Sequence, residues 1–340
     1  MIAMLCRHQV HVRLAQSPDA GSHQMKKLQL TIACDSFETV RALEEKHISP
    51  DGIELLFQPE MSNPVRHRAM ARDLAFDVCE LNVSTYLIAR DQGVPITALP
   101  VFLFRKFRHG NIFVDARSGI KSPADLIGQR IGCPNLQPAS NVWINGILRD
   151  FHGLDHRNLT WMVERDEDVP FDIPDSLRVE RITGGRSAID LMLAGEVAAV
   201  YTPQTPPAMI AGDTRIGRLF PDYVERELTY FQNTGLFPIM HVTAVSTDLL
   251  KREPWVAASL MQAFEAAKRE AYIRLSNVRL VPLVWFGAQY EEDRRIFGDD
   301  PWPYGLGDLN RQNLGTIIRY THEQGLTRQL RSVDDLFVDA

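Results

Sequence analysis

Short apolar, β-prone runs alternate with helical patterns along most of this chain, and this alternation is the feature that most constrains its fold. Residues 28–34 and 75–81 are predicted strands, and each is followed by a helical pattern. A unit of the same kind begins at residues 179–182 and continues as a helix over residues 187–194. Strands that alternate with helices pair mainly in parallel, so the sequence predicts an α/β fold with mostly parallel sheets flanked by helices.

Local signals predict several further elements. Asp35 and Ser36 are placed to cap a helix that runs to about residue 46. A short capped helix is predicted over residues 121–127, and a longer helix over residues 139–151. Residues 155–174 are charged and contain prolines, so we expect them to lie at the surface.

Composition limits the classes of protein to consider. A chain of 340 residues, 45% of them hydrophobic, is long enough for two lobes. Its formal net charge of −6 argues against general binding to nucleic acid or to an anionic membrane. Charged residues interrupt the apolar start, and the four cysteines form no paired motif, so we expect a protein of the reducing cytoplasm. Residues 1–27 are predicted to be a disordered extension or to precede the true start.

The stretch from residue 100 to residue 114 has apolar ends and a basic centre. Four basic side chains fall within five positions of it: Arg105, Lys106, Arg108 and His109. Such a cluster suits a carboxylate or a phosphate, although it also fits a solvated basic turn. If the strand continues, Arg105 and His109 share one face, which favours this pair over Arg108.

Polar residues follow several of the predicted strands. In parallel sheets ligands bind beyond the carboxyl ends of the strands, so Asp35, Asn82, Ser84 and the loops 135–139 and 184–187 are expected to face one cleft. The helix start at Ser140 and Asn141 is a further candidate anion site.

Cofactor motifs are missing from the sequence. It contains no Gly-x-Gly-x-x-Gly, no Gly-Lys-Ser/Thr and no His-Glu-x-x-His motif. We therefore expect no cofactor and no metal, while a metal site assembled from distant residues stays an alternative.

Five motifs occur in an order that resembles a known family. They are Arg-x-Phe-Arg-His before an apolar strand, Gly-Gln-Arg-Ile-Gly-Cys-Pro leading to Val-Trp-Ile-Asn-Gly-Ile-Leu, Arg-Leu-Phe-Pro-Asp-Tyr, Thr-Gly-Leu-Phe-Pro-Ile-Met-His and Asp-Pro-Trp-Pro-Tyr-Gly-Leu. Together they resemble the 4,5-dihydroxyphthalate decarboxylase family, which belongs to the type II periplasmic-binding-protein-like superfamily. The resemblance extends from about residue 28 to residue 337.

This resemblance implies a two-lobed clamshell. One lobe would combine residues 28–115 with residues 239–340, and the other would contain residues 116–238. The implied reaction is non-oxidative loss of carbon dioxide from a hydroxylated aromatic acid, with 4,5-dihydroxyphthalate giving protocatechuate. Such a site must supply a proton donor, hold the carboxylate that stays, and stabilise a phenolate.

The resemblance and these demands lead to a hypothesis for the site. His109 or His241 donates the proton, and Asp35 or Glu80 orients a histidine or accepts a proton from the substrate. The substrate-binding candidates are Arg105, Arg108, Arg186, Asn82, Ser84, Ser140, Asn141, Trp143, Tyr201, Thr234 and Phe107.

Each role has a structural alternative. The histidines could be satisfied core residues, Trp143 could pack between the lobes, and Arg186 could pair with Asp190. A solute-binding protein for an aromatic or other organic anion is the rival function, because this fold often serves binding alone. A different enzyme on the same scaffold is a third possibility. The expected partner is a small aromatic carboxylate, and a homo-oligomer is also expected.

Overall fold

The computed structural model describes residues 26–338, and this part of the chain contains eleven strands. They are β1 (Leu28–Ala33), β2 (Ile53–Phe57), β3 (Val78–Asn82), β4 (Ile96–Arg105), β5 (Ile112–Asp115), β6 (Arg130–Cys133), β7 (Thr160–Val163), β8 (Arg178–Arg181), β9 (Ala199–Tyr201), β10 (Ile216–Arg218) and β11 (Ile239–Ser246).

The strands form two sheets. The first has the order β2-β1-β3-β11-β4, and β11 runs antiparallel to both of its neighbours. The second has the order β10-β5-β9-β6-β7-β8, in which β5 is antiparallel to β9 and β10. Both sheets are mixed and mostly parallel, which confirms the predicted fold class.

Helices flank both sheets in the described part of the chain. They are α1 (Arg41–Glu44), α2 (Asn63–Asp73), α3 (Val83–Asp91), α4 (Ala139–His152), α5 (Ala188–Leu193), α6 (Pro207–Ile210), α7 (Tyr223–Thr234), α8 (Thr247–Arg252), α9 (Trp255–Ser276), α10 (Phe286–Phe297) and α11 (Asp308–Glu323). None of these helices combines the length and the apolar character needed to cross a membrane.

The hydrophobic core continues from one sheet to the other. Strand residues of the first sheet, such as Leu81 and Val242, pack in one cluster with Leu314 of α11. Trp143 and Ile147 of α4 belong to the same cluster, although α4 follows β6 of the second sheet. Burying a large apolar side chain contributes about 1.5–3 kcal/mol to the free energy of folding. The shared cluster therefore stabilises the contact between the two lobes as well as each sheet.

The chain passes between the sheets twice, after β4 and before β11. Residues 112–115 form β5 of the second sheet, so the structure places them with the second lobe, just before the predicted boundary. The remaining lobe boundaries stay predictions. Residues 1–25 of the predicted extension lie outside the described residues.

Two sequence expectations need correction in the first lobe and its border. The helix predicted from Asp35 is shortened to α1, because the Asp35 carboxylate accepts a hydrogen bond from Arg66 and the Ser36 hydroxyl donates to Glu44, so neither caps the helix. The helix predicted over residues 121–127 is a 3-10 turn, Pro123–Leu126.

The segment from residue 155 to residue 174 is not all surface. It contains β7, which lies between β6 and β8 inside the second sheet. The Trp161 side chain on β7 is almost fully buried. Charged residues on both sides of this four-residue strand conceal its apolar character in the sequence.

Candidate active site

A glutamate and a histidine meet on the two central strands of the first sheet. Strand β11 pairs with β3 so that His241 lies opposite Asn82 and Thr243 lies opposite Glu80. Side chains two residues apart point to the same face of a strand, so Glu80 and His241 share one face. Nδ1 of His241 forms a hydrogen bond with Oε1 of Glu80, and both residues are buried.

Fixed partners hold the Glu80 carboxylate in place. Its Oε2 accepts hydrogen bonds from Nη2 of Arg66 at 2.7 Å and from the backbone N–H of Asp35 at 2.8 Å. Nη1 of Arg66 also donates to Asp35 Oδ1 at 2.6 Å. Burial alone would raise the pKa of Glu80, but the charges of His241 and Arg66 and these hydrogen bonds outweigh burial and lower it. Glu80 is therefore a fixed anion that orients the imidazole.

Two rings contact His241 from the side. The Phe104 ring centroid lies 5.2 Å from that of His241, and the His67 ring meets it edge-on at 5.5 Å. Burial, followed by the charges of His241 and Arg66, places the pKa of His67 well below its usual value, so His67 is a neutral neighbour. Nε2 of His241 has no hydrogen-bond partner among residues 26–338, which leaves it available to a ligand.

Arg108 supplies a buried cation that contacts the same Phe104 ring as this histidine. Its guanidinium lies over the Phe104 ring at 5.7 Å, and Nη1 donates to the Pro203 carbonyl at 3.1 Å. Nε faces Sδ of Met240, the residue before His241, at 3.0 Å. Burial lowers the pKa of Arg108 to about 9, so the side chain stays charged at neutral pH, yet it forms no ion pair with any described carboxylate. An uncompensated buried cation of this kind suits an anionic ligand.

Arg105 has a different position from the one predicted. Its guanidinium donates to the Phe237 carbonyl at 3.3 Å and to the Pro303 carbonyl at 3.1 Å, and it also contacts Asn310. The side chain therefore connects the end of β4 to the C-terminal segment. The sequence favoured Arg105 over Arg108 as the anion-binding residue, and the geometry favours Arg108. The reason is that β4 ends at Arg105, so the alternation of side chains assumed for residues 105–109 does not continue.

The fold does not place the His109 side chain against His241. It lies in a 3-10 turn and packs against the rings of Phe220 and Tyr230, with centroids 5.9 and 5.3 Å away. Burial, and then the charge of His152, lowers the pKa of His109 to about 4. The geometry thus favours His241 as the proton donor, and a catalytic role for His109 stays a prediction.

The low pKa of His109 predicts a pH-dependent stability. The unfolded chain takes up this proton near pH 6.5 and the folded chain only near pH 4, so between these values acid favours the unfolded state. We expect the free energy of unfolding to fall as the pH drops through this window, with His109 contributing at most about 3 kcal/mol. In urea titrations at pH 7 and pH 5, His109→Leu should lose less stability than the wild-type protein. The exposed His47 supplies the control, and equal losses in His109→Leu and His47→Leu would contradict the prediction.

Asn82 and Ser84 join the two lobes at the cleft. Oδ1 of Asn82 accepts from the Ser84 hydroxyl at 2.7 Å and from the backbone N–H of Ala139, the first residue of α4, at 3.1 Å. The Ser84 hydroxyl also contacts the Gln137 carbonyl. These groups hold the start of α4 against β3, close to His241.

Ser140 and Asn141 lie in the first turn of α4 and are buried. The Ser140 hydroxyl and Oδ1 of Asn141 have no hydrogen-bond partner within the described chain, whereas Nδ2 of Asn141 donates to the Asn135 carbonyl at 2.7 Å. Their proposed contact with a substrate oxygen stays a prediction.

Three predicted ring contacts are occupied by protein packing. Trp143 donates from Nε1 to the Ile239 carbonyl at 3.0 Å and packs between the lobes. Tyr201 is buried against Trp161. Phe107 stacks on Phe237, with ring centroids 4.8 Å apart. The structure therefore does not place these rings around a ligand; Phe104 and its stacked neighbour Phe37 are the rings on the His241 side.

Arg186 and Thr234 are also placed away from His241. Arg186 is exposed and pairs with Glu196 at 2.8 Å instead of the expected Asp190. The Thr234 hydroxyl donates to the Tyr230 carbonyl at the end of α7. Neither residue contacts the Glu80–His241 pair.

Arg66 and His67 are the site residues that sequence reasoning missed. Both lie on α2, and Arg66 donates to two carboxylates, those of Asp35 and Glu80. The only sequence signal was the basic run Arg66-His67-Arg68, which by itself indicates a solvated face. Within residues 26–338, no cluster of three or more His, Cys, Asp or Glu side chains has an arrangement that would hold a metal ion. The expectation of a reaction without metal or cofactor stays a prediction.

Comparison with solved structures shows which fold this chain shares with known proteins. The alkanesulfonate-binding protein SsuA from Xanthomonas axonopodis pv. citri, bound to MOPS, aligns with a TM-score of 0.54 and 14% identity, covering 93% of this chain and 99% of that chain. The aliphatic sulphonate binding protein SsuA from Escherichia coli aligns with a TM-score of 0.53 and 14% identity, covering 92% and 91% of the two chains. The fold is therefore that of the type II periplasmic-binding-protein-like class.

Sequence relatives define the family. Residues 50–168 match the family described as NMT1/THI5 like. A 4,5-dihydroxyphthalate decarboxylase from Comamonas testosteroni is 32% identical over 322 residues, covering 92% of this chain and 97% of the relative. A protein of the same name from Pseudomonas putida is 32% identical over 205 residues, covering 58% of this chain and 79% of the relative. The chain belongs to the 4,5-dihydroxyphthalate decarboxylase family, as its motifs predict.

Proposed function

We propose that this protein catalyses the non-oxidative decarboxylation of a hydroxylated aromatic acid, with 4,5-dihydroxyphthalate as substrate and protocatechuate as product. The observation that carries the proposal is the proximity of two groups around Phe104: an imidazole held by a carboxylate, and a buried arginine cation that has no ion-pair partner among residues 26–338. The family relatives supply the chemical name of the substrate.

The proposed roles follow from the geometry. Arg108 binds the carboxylate that stays on the ring, because a charge-assisted hydrogen bond compensates its buried charge. Glu80 accepts the Nδ1–H of His241 and thereby directs Nε2 to the cleft, and an Nε2–H at this position is the proposed proton donor. Asp35, which is half exposed and already bound to Arg66, lies beside Glu80 and accepts the proton of a ring hydroxyl.

The reaction then balances in three steps. Loss of the proton from the hydroxyl para to the departing carboxylate places electron density on the carbon that bears this carboxylate. That carbon takes the Nε2 proton of His241. The carbon–carbon bond breaks, its electron pair restores the aromatic ring, and carbon dioxide leaves. Asp35 then returns its proton to the phenolate oxygen, and solvent returns the proton to His241, so the net change replaces one carboxylate with one hydrogen.

The direct test is an assay on purified protein with a panel of hydroxylated benzoates and phthalates, in which ring absorbance and released carbon dioxide are followed together. Turnover of 4,5-dihydroxyphthalate is the expected result. Tight binding without turnover across the whole panel would favour the solute-binding alternative. Activity that is lost on chelation and restored by a divalent ion would contradict the proposed absence of a metal.

We further propose a cytoplasmic homo-oligomer. The buried thiols of Cys79 and Cys133 are free, as expected in a reducing compartment.

An exposed apolar surface supports the oligomer. Six large apolar side chains between residues 273 and 285 are exposed, and Val284 at 90% and Trp285 at 79% are the most exposed of them. A second copy of the chain would cover this surface. Light scattering that gives the mass of one chain would contradict the oligomer, and recovery outside the cytoplasmic fraction would contradict the location.

A further inference from the structure

A cavity of about 270 Å³ lies where the connection between β4 and β5 meets β10, α7 and the segment that follows α10. Polar groups line one part of it and aromatic rings another. The lining residues used below are Lys106, Arg218, Glu227, Phe237 and Trp302. None of them takes part in the Glu80–His241 site or in the Phe104 contacts of Arg108, so this cavity is separate from the proposed active site.

Two cations in this cavity lack a carboxylate partner. The backbone N–H of Lys106 bonds to the Pro238 carbonyl, but its ammonium group forms no hydrogen bond or ion pair with the described residues. Burial, and then the charge of Arg108, lowers the pKa of Lys106, and the charge of Glu227 offsets only part of this effect. Within residues 26–338, Arg218 donates to the Gly110 carbonyl at 3.0 Å and to the Thr205 hydroxyl at 3.3 Å, and its guanidinium lies over the Tyr223 ring at 4.8 Å, but it forms no ion pair.

Glu227 is the one carboxylate among the residues lining the cavity, and it is engaged elsewhere. Its Oε1 accepts the backbone N–H of Gly110 at 3.1 Å. It forms no ion pair with Lys106 or Arg218, and burial raises its pKa although the Gly110 hydrogen bond and the charge of Lys106 act in the opposite direction. The positive charge in the cavity is therefore only partly compensated, which is unfavourable for groups withdrawn from water. An anion that enters the cavity would offset this cost.

The rings define which anion fits. Phe237 and Trp302 form an edge-to-face pair, with centroids 5.3 Å apart, at the wall of the cavity. A flat apolar group packs well against such rings. A volume of about 270 Å³ accommodates a single benzene ring that carries a carboxylate.

We propose that this cavity is a second anion site that binds a small aromatic carboxylate, with the acid group between Lys106 and Arg218 and the ring against Phe237 and Trp302. The site does not depend on the proposed reaction, because its lining is complete without His241, Glu80 or Arg108. The protein therefore binds one aromatic acid even when the active site is disabled.

The test uses Arg108→Gln, which removes the cation of the active site, and benzoate as the probe in isothermal titration calorimetry. We expect one benzoate to bind per chain. Adding Lys106→Met should weaken binding at least about tenfold, because a charge-assisted hydrogen bond is lost, and Lys106→Arg should preserve it. Lys121→Met, at an exposed lysine, is the matched control and should leave the affinity unchanged.

A second measurement, on the wild-type protein, tests the proposal in case the Arg108→Gln protein does not fold. Benzoate should change the tryptophan fluorescence of the wild-type protein, and Trp302→Phe should remove this change. Inorganic phosphate should bind more weakly than benzoate, because it lacks the ring. Absence of binding, binding that is unaffected by Lys106→Met, or phosphate bound as tightly as benzoate would overturn the proposal.

Discussion

His241→Gln is expected to lower kcat for the decarboxylation by about 10²–10⁴-fold, the usual contribution of a positioned general acid. The glutamine amide fills much of the imidazole volume and can still donate to Glu80, but it cannot transfer a proton to a ring carbon. Substrate binding should change little, because Arg108 and Phe104 are left in place. Steady-state rates of carbon dioxide release from 4,5-dihydroxyphthalate provide the measurement.

The control for this variant is His47→Gln, at an exposed histidine whose partners are Glu45 and Glu270 and not the site residues. It should turn over at the wild-type rate. If His241→Gln also kept the wild-type kcat while His109→Leu lost activity, the proton donor would be His109, and the role assigned to the Glu80–His241 pair would be incorrect.

Arg108→Gln is expected to raise KM for 4,5-dihydroxyphthalate by about 10- to 100-fold, with a smaller effect on kcat. A charge-assisted hydrogen bond to a buried carboxylate contributes about 1.5–3 kcal/mol, and the departing carboxylate does not need this contact. Arg108→Lys should recover part of the affinity, because it restores the charge without the paired donors of a guanidinium.

Arg186→Gln provides the matched control, since Arg186 is exposed and already paired with Glu196. Its KM should equal that of the wild-type protein. A higher KM for Arg186→Gln together with an unchanged KM for Arg108→Gln would restore the arginine of the second lobe as the carboxylate-binding residue, and would exclude Arg108 from that role.

Much of the fold followed from the sequence because local patterns determine it. The helix predicted over residues 139–151 forms α4, Ala139–His152, with an end only one residue later. Asn82 lies at the carboxyl end of β3, as the rule for parallel sheets predicts. His241 follows the motif Phe-Pro-Ile-Met and lies on a strand at the centre of the first sheet.

The arrangement of the site was less predictable, because it depends on packing between distant segments. Arg66 contacts Glu80 only because α2 lies against β3, and neither helical periodicity nor composition specifies which side of α2 faces the strand. Similarly, β4 ends at Arg105, and the irregular connection after it directs Arg108 towards Met240. The alternation of side chains between the two faces of a strand does not continue beyond the end of that strand.

The electrostatics of the cleft show how a binding fold can support catalysis. A solute-binding site needs charge that matches its ligand, and Arg108 supplies such a charge. Catalysis also needs a group that changes its protonation state during the reaction. The Glu80–His241 pair, held by Arg66, adds this group on neighbouring strands inside the first sheet.

The most direct test of the account is a crystal structure of the His241→Gln protein with 4,5-dihydroxyphthalate bound. We expect one carboxylate on the guanidinium of Arg108 and the ring against Phe104. The carbon that bears the second carboxylate should lie about 3–3.5 Å from the side chain at position 241. A substrate bound elsewhere, with Arg108 and position 241 both free of it, would contradict the proposed active site.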